Sequence, residues 1–193
     1  MKKALAGVLA VALAGCMAGA AVAQVPYVQV YFDDALNETQ SPCMNQPGGS
    51  GPPVALHVVY VNWNMNMAEV EFSISYPPAL IWLTDQLVDS DTQVLLGQSP
   101  GGVAVATANC CPFNGFAPVE VLRPIVLWGQ CDCNQGPQPL VVGGYTPFGE
   151  TQPTAVRKED FAQFHGIGMT SLICPRPIAT EQSTWGQVKA LYR

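Results

Sequence analysis

The sequence predicts an all-β fold: an antiparallel β-sandwich of about eight or nine strands with one or two short helices, stapled by disulfides. Three observations carry that prediction. Short apolar or alternating runs recur along the chain between turns rich in proline and glycine. One run, Glu69–Tyr76, alternates polar and apolar residues without a break. An even number of cysteines follows a segment laid out as a secretory leader.

Taken in order, Tyr27 to Phe32 reads as a strand ending at Asp33-Asp34. Residues 41–53 form a Pro/Gly-rich loop tethered by Cys43. Val54 to Val61 is apolar at both parities, as a strand buried on both faces would be. Asn62, Asn64 and Asn66 alternate with Trp63, Met65 and Met67 and read as a turn or bulge. Next, Val70, Phe72, Ile74 and Tyr76 face one way while Glu69, Glu71, Ser73 and Ser75 face the other, until Pro77-Pro78 stops the strand. Ile81 to Val88 is short and ambiguous. Further strands are expected at 92–96, 102–108, 117–128, 139–143 and 168–174, with Pro124 placing a bulge or an edge in the long one. Thr154 to His165 fits a short capped helix or a hairpin.

The leader consists of Lys2 and Lys3, an apolar run from Ala4 to Val22, and Ala21-Val22-Ala23 before Gln24. The expected organisation is a signal peptide over 1–23, a β-sandwich domain over 24–175, and a tail with a short amphipathic helix over 176–193. Leu13-Ala14-Gly15-Cys16 is similar to the lipobox of bacterial lipoproteins, which would make Cys16 a lipidation site. The apolar run continuing from Met17 to Val22 favours ordinary cleavage instead. Both readings place a bacterial protein in the periplasm, the envelope or outside the cell.

Loss of the leader removes two of the eight basic residues and leaves the fourteen acidic ones. An acidic chain with no basic cluster is poorly suited to nucleic acid or to anionic lipid. Charged residues make up only 11% of the chain, below the usual quarter or so, so the surface must be built from Asn, Gln, Ser, Thr, Gly and Pro. Beyond the leader no apolar run is long enough for a transmembrane helix.

Setting Cys16 aside, the cysteines are Cys43, Cys110, Cys111, Cys131, Cys133 and Cys174. In an oxidising compartment they read as disulfide candidates. Adjacent Cα atoms lie about 3.8 Å apart across a trans peptide, whereas disulfides want roughly 4.4–6.8 Å. Cys110 and Cys111 should therefore each bond elsewhere. Cys131 and Cys133 are poor mutual partners as well. The expected pattern joins the 110/111 pair to the 131/133 pair and leaves Cys43 for Cys174. A zinc site is the competing reading, but neither close pair has the usual gap of about two to four residues.

Residues 54–128 carry a family likeness. Val54-Ala55-Leu56-His57-Val58-Val59-Tyr60-Val61 leads through a loop into Ala68-Glu69-Val70-Glu71-Phe72-Ser73-Ile74-Ser75-Tyr76-Pro77. A short apolar segment follows, then Gly101-Gly102-Val103-Ala104-Val105-Ala106. This order of elements resembles cohesin-like and immunoglobulin-like sandwiches of secreted bacterial proteins. The resemblance implies an extracellular recognition or scaffold fold. The cysteine clusters are not part of that pattern, so dockerin binding is not carried over to individual residues. The end of the chain, Ser183 to Arg193, resembles tails of uncharacterised secreted bacterial proteins. There Thr184 could cap a helix whose Trp185, Val188 and Leu191 share a docking face.

Catalytic motifs fail on physical grounds. Gly97-Gln98-Ser99-Pro100-Gly101 has the spacing of a nucleophile elbow, but Pro100 has no N–H to help form an oxyanion hole. Only two histidines exist; His57 reads as a core residue and His165 as a helix-end or turn residue. Met65-Asn66-Met67 has the spacing of copper(I) thioether ligands and reads more simply as core. Glu69 and Glu71 share a solvated strand face, unlike a glycosidase acid/base pair. The acidic loops Asp33–Glu38 and Asp89-Ser90-Asp91 could hold calcium, though the EF-hand order is absent.

The expectation is therefore a secreted, non-catalytic binding module without a cofactor, whose partner is an extracellular protein or glycan. Trp82, Trp128 and Tyr145 are the candidate glycan-stacking aromatics. The alternative is a self-assembling structural subunit of a surface layer or filament.

Overall fold

The computed structural model describes residues 24–41, 51–107, 112–129 and 136–174. Within them the chain forms β1 (Tyr27–Tyr31), β2 (Gln40–Ser41), β3 (Val54–Ala55), β4 (His57–Val61) and β5 (Asn66–Ser75). There follow β6 (Leu80–Leu87), β7 (Gln93–Gln98), β8 (Gly102–Thr107), β9 (Phe113–Asn114) and β10 (Val119–Trp128). The last strands are β11 (Gln138–Gly143), β12 (Thr154–Arg157), β13 (Gln163–His165), β14 (Ile167–Gly168) and β15 (Thr170–Ile173). Among the described residues the only helical element is a 3₁₀ turn at Thr146–Phe148.

Two sheets result. In the first, β14, β1 and β4 lie side by side, and β10 receives β4 and β3 along one edge and β6 along the other. The second is centred on β5. Its ten residues pair with β11 and β12 along one edge and with β8 and β9 along the other. Outside these lie β7 beside β8, β13 beside β12, and β15 then β2 beside β11.

Alternation decides what is buried between the sheets. Val28 and Val30 of β1 and Val58 and Tyr60 of β4 form a cluster with Val70, Phe72 and Ile74 of β5, Val103 and Val105 of β8, and Leu140 and Val142 of β11. Tyr60 is fully buried; its ring centroid lies 5.0 Å from Trp63 and 6.0 Å from Phe72. Its hydroxyl donates to the carbonyls of Glu71 (3.1 Å) and Thr154 (3.3 Å), tying the first sheet to two strands of the second. A buried hydroxyl needs such partners, because an unmade hydrogen bond in the core is costly.

Ile167 to Ile173 changes sheets. Its first part pairs with β1, its last with β11, and Met169 sits at the switch, donating to the Val28 carbonyl and accepting from the Val142 N–H. At Gly168 a Cβ would collide with the Val142 carbonyl oxygen, so only glycine allows that approach. The switch also makes β14 run parallel to β1 and β15 parallel to β2, while the other pairings are antiparallel.

The sandwich class read from the sequence therefore holds, with fifteen strand segments among the described residues rather than eight or nine. Interruptions account for the extra pieces. At Pro124, for example, the carbonyl accepts the Leu56 N–H and divides β3 from β4, with register shifts nearby in β10. The segment read as ambiguous at 81–88 is the strand β6 through Leu87, with Val88 in the bend that follows, and 154–165 is the β12–β13 hairpin. Asn62 and Asn64 turn the chain in left-handed conformations (φ 63° and 52°), which asparagine tolerates. No described helix is long and apolar enough to cross a membrane. The leader, Cys16, and the tail with Trp185, Val188 and Leu191 lie outside the described residues.

Candidate functional site

The outer face of the second sheet is assembled by register. Opposite residues in an antiparallel ladder point the same way. One row across it therefore reads Leu96, Ala104, Glu71, Thr154, His165, from β7 through β8, β5 and β12 to β13. The next row reads Val94, Ala106, Glu69, Val156, Gln163. The first row is exposed at its ends and closed in its middle. Leu96 is 56% exposed, whereas Ala104, Glu71 and Thr154 are buried. Small side chains at Ala104 and Ala106 keep the floor low between the apolar edge strand and the central carboxylates.

Glu71 is the anomaly of this face. It points outward by parity yet is only 9% exposed, and among the described residues its carboxylate makes no hydrogen bond or ion pair. Burial, followed by the like charges of Glu69 and Glu150, raises its carboxyl above the ordinary range, and His165 opposes this. Glu150 comes from the β11–β12 loop, with an oxygen 3.9 Å from His165 Nδ1. The same ring nitrogen lies 3.1 Å from Thr154 Oγ1. No lysine or arginine stands in either row. Arg157 is held over the Phe164 ring at 4.9 Å and pairs with Asp160.

The β11–β12 loop closes one end of the face. Tyr145 and Pro147 pack onto Gly102, whose positive φ (111°) and missing Cβ permit the contact. Thr146 Oγ1 donates to the Gly101 carbonyl. Phe148 stacks near Tyr145 (5.2 Å) and is 76% exposed.

The other candidates from the sequence fall elsewhere. Trp128 is buried in the core at 3% exposure, with its indole N–H unpartnered, so it offers no surface for a glycan. Trp82 is half-buried and donates to Asp85 (3.1 Å). Ser99 is fully buried and bonded to Asp85 and Tyr76, with no histidine on its hydroxyl. Met65 and Met67 are core residues. His57 is buried between Glu120 (2.6 Å) and Asp34 (3.1 Å). Asp33 accepts the N–H groups of Glu38 and Asn37, and Asp89 accepts from Thr92 and Asp91, so each carboxylate closes its own turn. Among the described residues no three metal-ligating side chains are grouped to hold an ion. Cys174 is disulfide-bonded; Cys43, Cys110, Cys111, Cys131 and Cys133 lie outside the described residues.

Sequence reading singled out Glu69 and Glu71 on this face but missed Val94, Leu96, Ala104, Ala106, Thr154 and Glu150. The alternation of Val103 and Val105 with Ala104 and Ala106 was the available signal. Only the pairing register shows that it faces the carboxylates.

No protein-family model and no curated protein matches the chain. Solved structures do share its fold. A cohesin module from the family 33 glycoside hydrolase of Clostridium perfringens superposes with a TM-score of 0.55 at 10% identity, covering 77% of this chain and 95% of that one. A CaDoc0917–CaCohA2 complex gives 0.50 at 12% identity, covering 77% and 97%. The Coh-OlpA–Doc918 cohesin–dockerin complex from Clostridium thermocellum gives 0.49 at 8%, covering 78% and 98%. At these identities the likeness is one of fold: this chain is built like a cohesin module.

Proposed function

We propose that the protein is a non-catalytic, extracytoplasmic protein-recognition module that binds its partner on the outer face of the second sheet. One observation carries the reading: a nearly buried, unpartnered carboxylate, Glu71, sits in a low floor walled by the exposed Leu96 and Val94. A carboxylate on a residue only 9% exposed, its oxygens reaching solvent but meeting no protein donor among the described residues, is held at some cost in stability, and a binding site is a reason to tolerate that cost. Apolar side chains around a polar centre are the usual make-up of a recognition patch. The cohesin-like fold supports the reading, since one solved neighbour is itself half of a complex. A protein partner is favoured over a glycan because the aromatics proposed for stacking do not form a platform, Trp128 being in the core. Secretion rests on the leader-like segment 1–23.

The test is capture from the native envelope extract by the mature chain carrying Leu96→Asp, compared with Leu83→Asp on the other sheet. The partner should be lost with the first variant and retained with the second. Equal capture by both would refute the face.

The structural-subunit reading retains one supporting observation. β6 is an edge strand with Ile81 (46% exposed) and Leu83 (42%) outward, and such an edge can pair with another copy. Concentration-dependent light scattering that disappears in Leu83→Lys would favour it.

A further inference from the structure

We infer that the group recognised at the centre of this face is a cation on an alkyl stem, a lysine or arginine side chain of the partner protein, seated on the Glu71 carboxylate. The inference rests on the recognition reading above and names what that site takes.

Three features point to it. The face is acidic and lacks a basic side chain of its own: Glu69 and Glu71 lie in adjacent rows, and Glu150 reaches in from the loop. Within this set Glu71 is the least exposed residue, at 9%, and its carboxylate oxygens, which open to solvent, have no hydrogen-bond partner among the described residues. His165, the one group there able to carry positive charge, has its Nδ1 directed at Thr154 and Glu150 rather than bonded to Glu71.

The row also has a polarity along its length. It runs from the exposed Leu96 over Ala104 to the carboxylate. Lysine and arginine are built the same way, with a methylene stem that lies on apolar surface and a head that needs an acceptor. A bare metal ion would use the carboxylates and leave the apolar approach unexplained. An anionic partner would meet three carboxylates. Charge complementarity therefore selects the cation, and the apolar wall selects one on a stem. Burial strengthens the contact, because charge-assisted hydrogen bonds gain most where water is excluded.

The experiment uses n-butylammonium and n-butylguanidinium as probes and n-butanol as the neutral control. Amide shifts are mapped on the full mature chain. Both cations should give saturable shifts centred on Glu71, Ala104 and Thr154, and butanol should not. Glu71→Gln keeps the shape and removes the charge; it should weaken the cations by at least about tenfold. Its own spectrum should stay folded, which separates lost binding from lost structure. Cation shifts that persist in Glu71→Gln, or butanol shifts equal to those of the cations, would sink the inference.

This outcome separates from that of the recognition reading. If the probes fail while Leu96→Asp still abolishes partner capture, the face stands and the cation falls. If the probes bind while Leu96→Asp captures normally, the recognition reading falls.

Discussion

Ser99 and Asp85 hold each other twice: the Ser99 N–H donates to one carboxylate oxygen at 2.7 Å and its hydroxyl to the other at 2.7 Å. Asp85 belongs to β6 of the first sheet, whereas Ser99 lies in the turn between β7 and β8 of the second. The Tyr76 hydroxyl, 2.8 Å from Ser99 Oγ, and the Trp82 indole, which donates to Asp85, complete the network. What reads in the sequence as a nucleophile elbow is a clasp between sheets. Asp85→Ala leaves the Ser99 N–H without its acceptor and the Ser99 hydroxyl with Tyr76 alone, and should destabilise the fold by about 2–4 kcal/mol, read from urea unfolding. An effect under about 0.5 kcal/mol, the scale of a neutral surface change, would show the clasp to be incidental.

Glu120 supplies an acid-sensitive share of stability. Burial by itself would raise its carboxyl, but the hydrogen bonds from Arg123 (2.8 and 2.9 Å) and His57 outweigh burial and lower it. A carboxylate depressed in the folded state adds stability above its unfolded pKa, and that stability is lost as pH falls through the folded value. The urea midpoint should therefore drop on acidification below the ordinary carboxylate range. Glu120→Gln should have a lower midpoint at neutral pH and a shallower acid decline than the parent.

Glu71 should behave in the opposite sense. Burial first, then Glu69 and Glu150, raise its carboxyl, so in the interval between its unfolded and folded values the folded state holds a proton that the unfolded state has released. Stability contributed this way is present below the unfolded pKa and is lost as pH rises through the folded one. Glu71→Gln should accordingly stabilise the protein at neutral pH and leave it little changed in acid. A neutral-pH midpoint at or below that of the parent would remove the case for a carboxylate held at a cost.

Cys174 closes the described chain in a disulfide, with its N–H on the Ser41 carbonyl (3.0 Å). Peptide mapping without reductant should return Cys174 joined to Cys43, the cysteine two residues beyond Ser41. Cys174→Ser should cost about 2–5 kcal/mol, the usual loss for a native bridge in a secreted domain. Recovery of Cys174 joined to Cys110 or Cys131 would redraw the pairing.

Much of the architecture was legible because strands report their environment by parity. Val70, Phe72 and Ile74 are buried between the sheets as their alternation implied, and all five residues of β4 are buried as its apolar residues at both parities implied. The segment 154–165 was ambiguous because Thr154 could equally cap a helix; pairing of Ala155 with Phe164 resolves it as a hairpin. Trp128 looked like a surface aromatic, and its partner across β6, Leu80, is also buried in the core.

Residue order alone determined the class of the fold, because the period of two and the Pro/Gly punctuation are properties of neighbours in the chain. It also determined which residues of β5 would face outward. What stands beside them was decided only in three dimensions. Leu96, Ala104, Thr154 and His165 come from four other strands, up to 94 residues from Glu71, and meet it only through register. Burial and charge at Glu71 depend on those distant neighbours, so a carboxylate that looks solvated in the sequence becomes nearly enclosed once the sheets close.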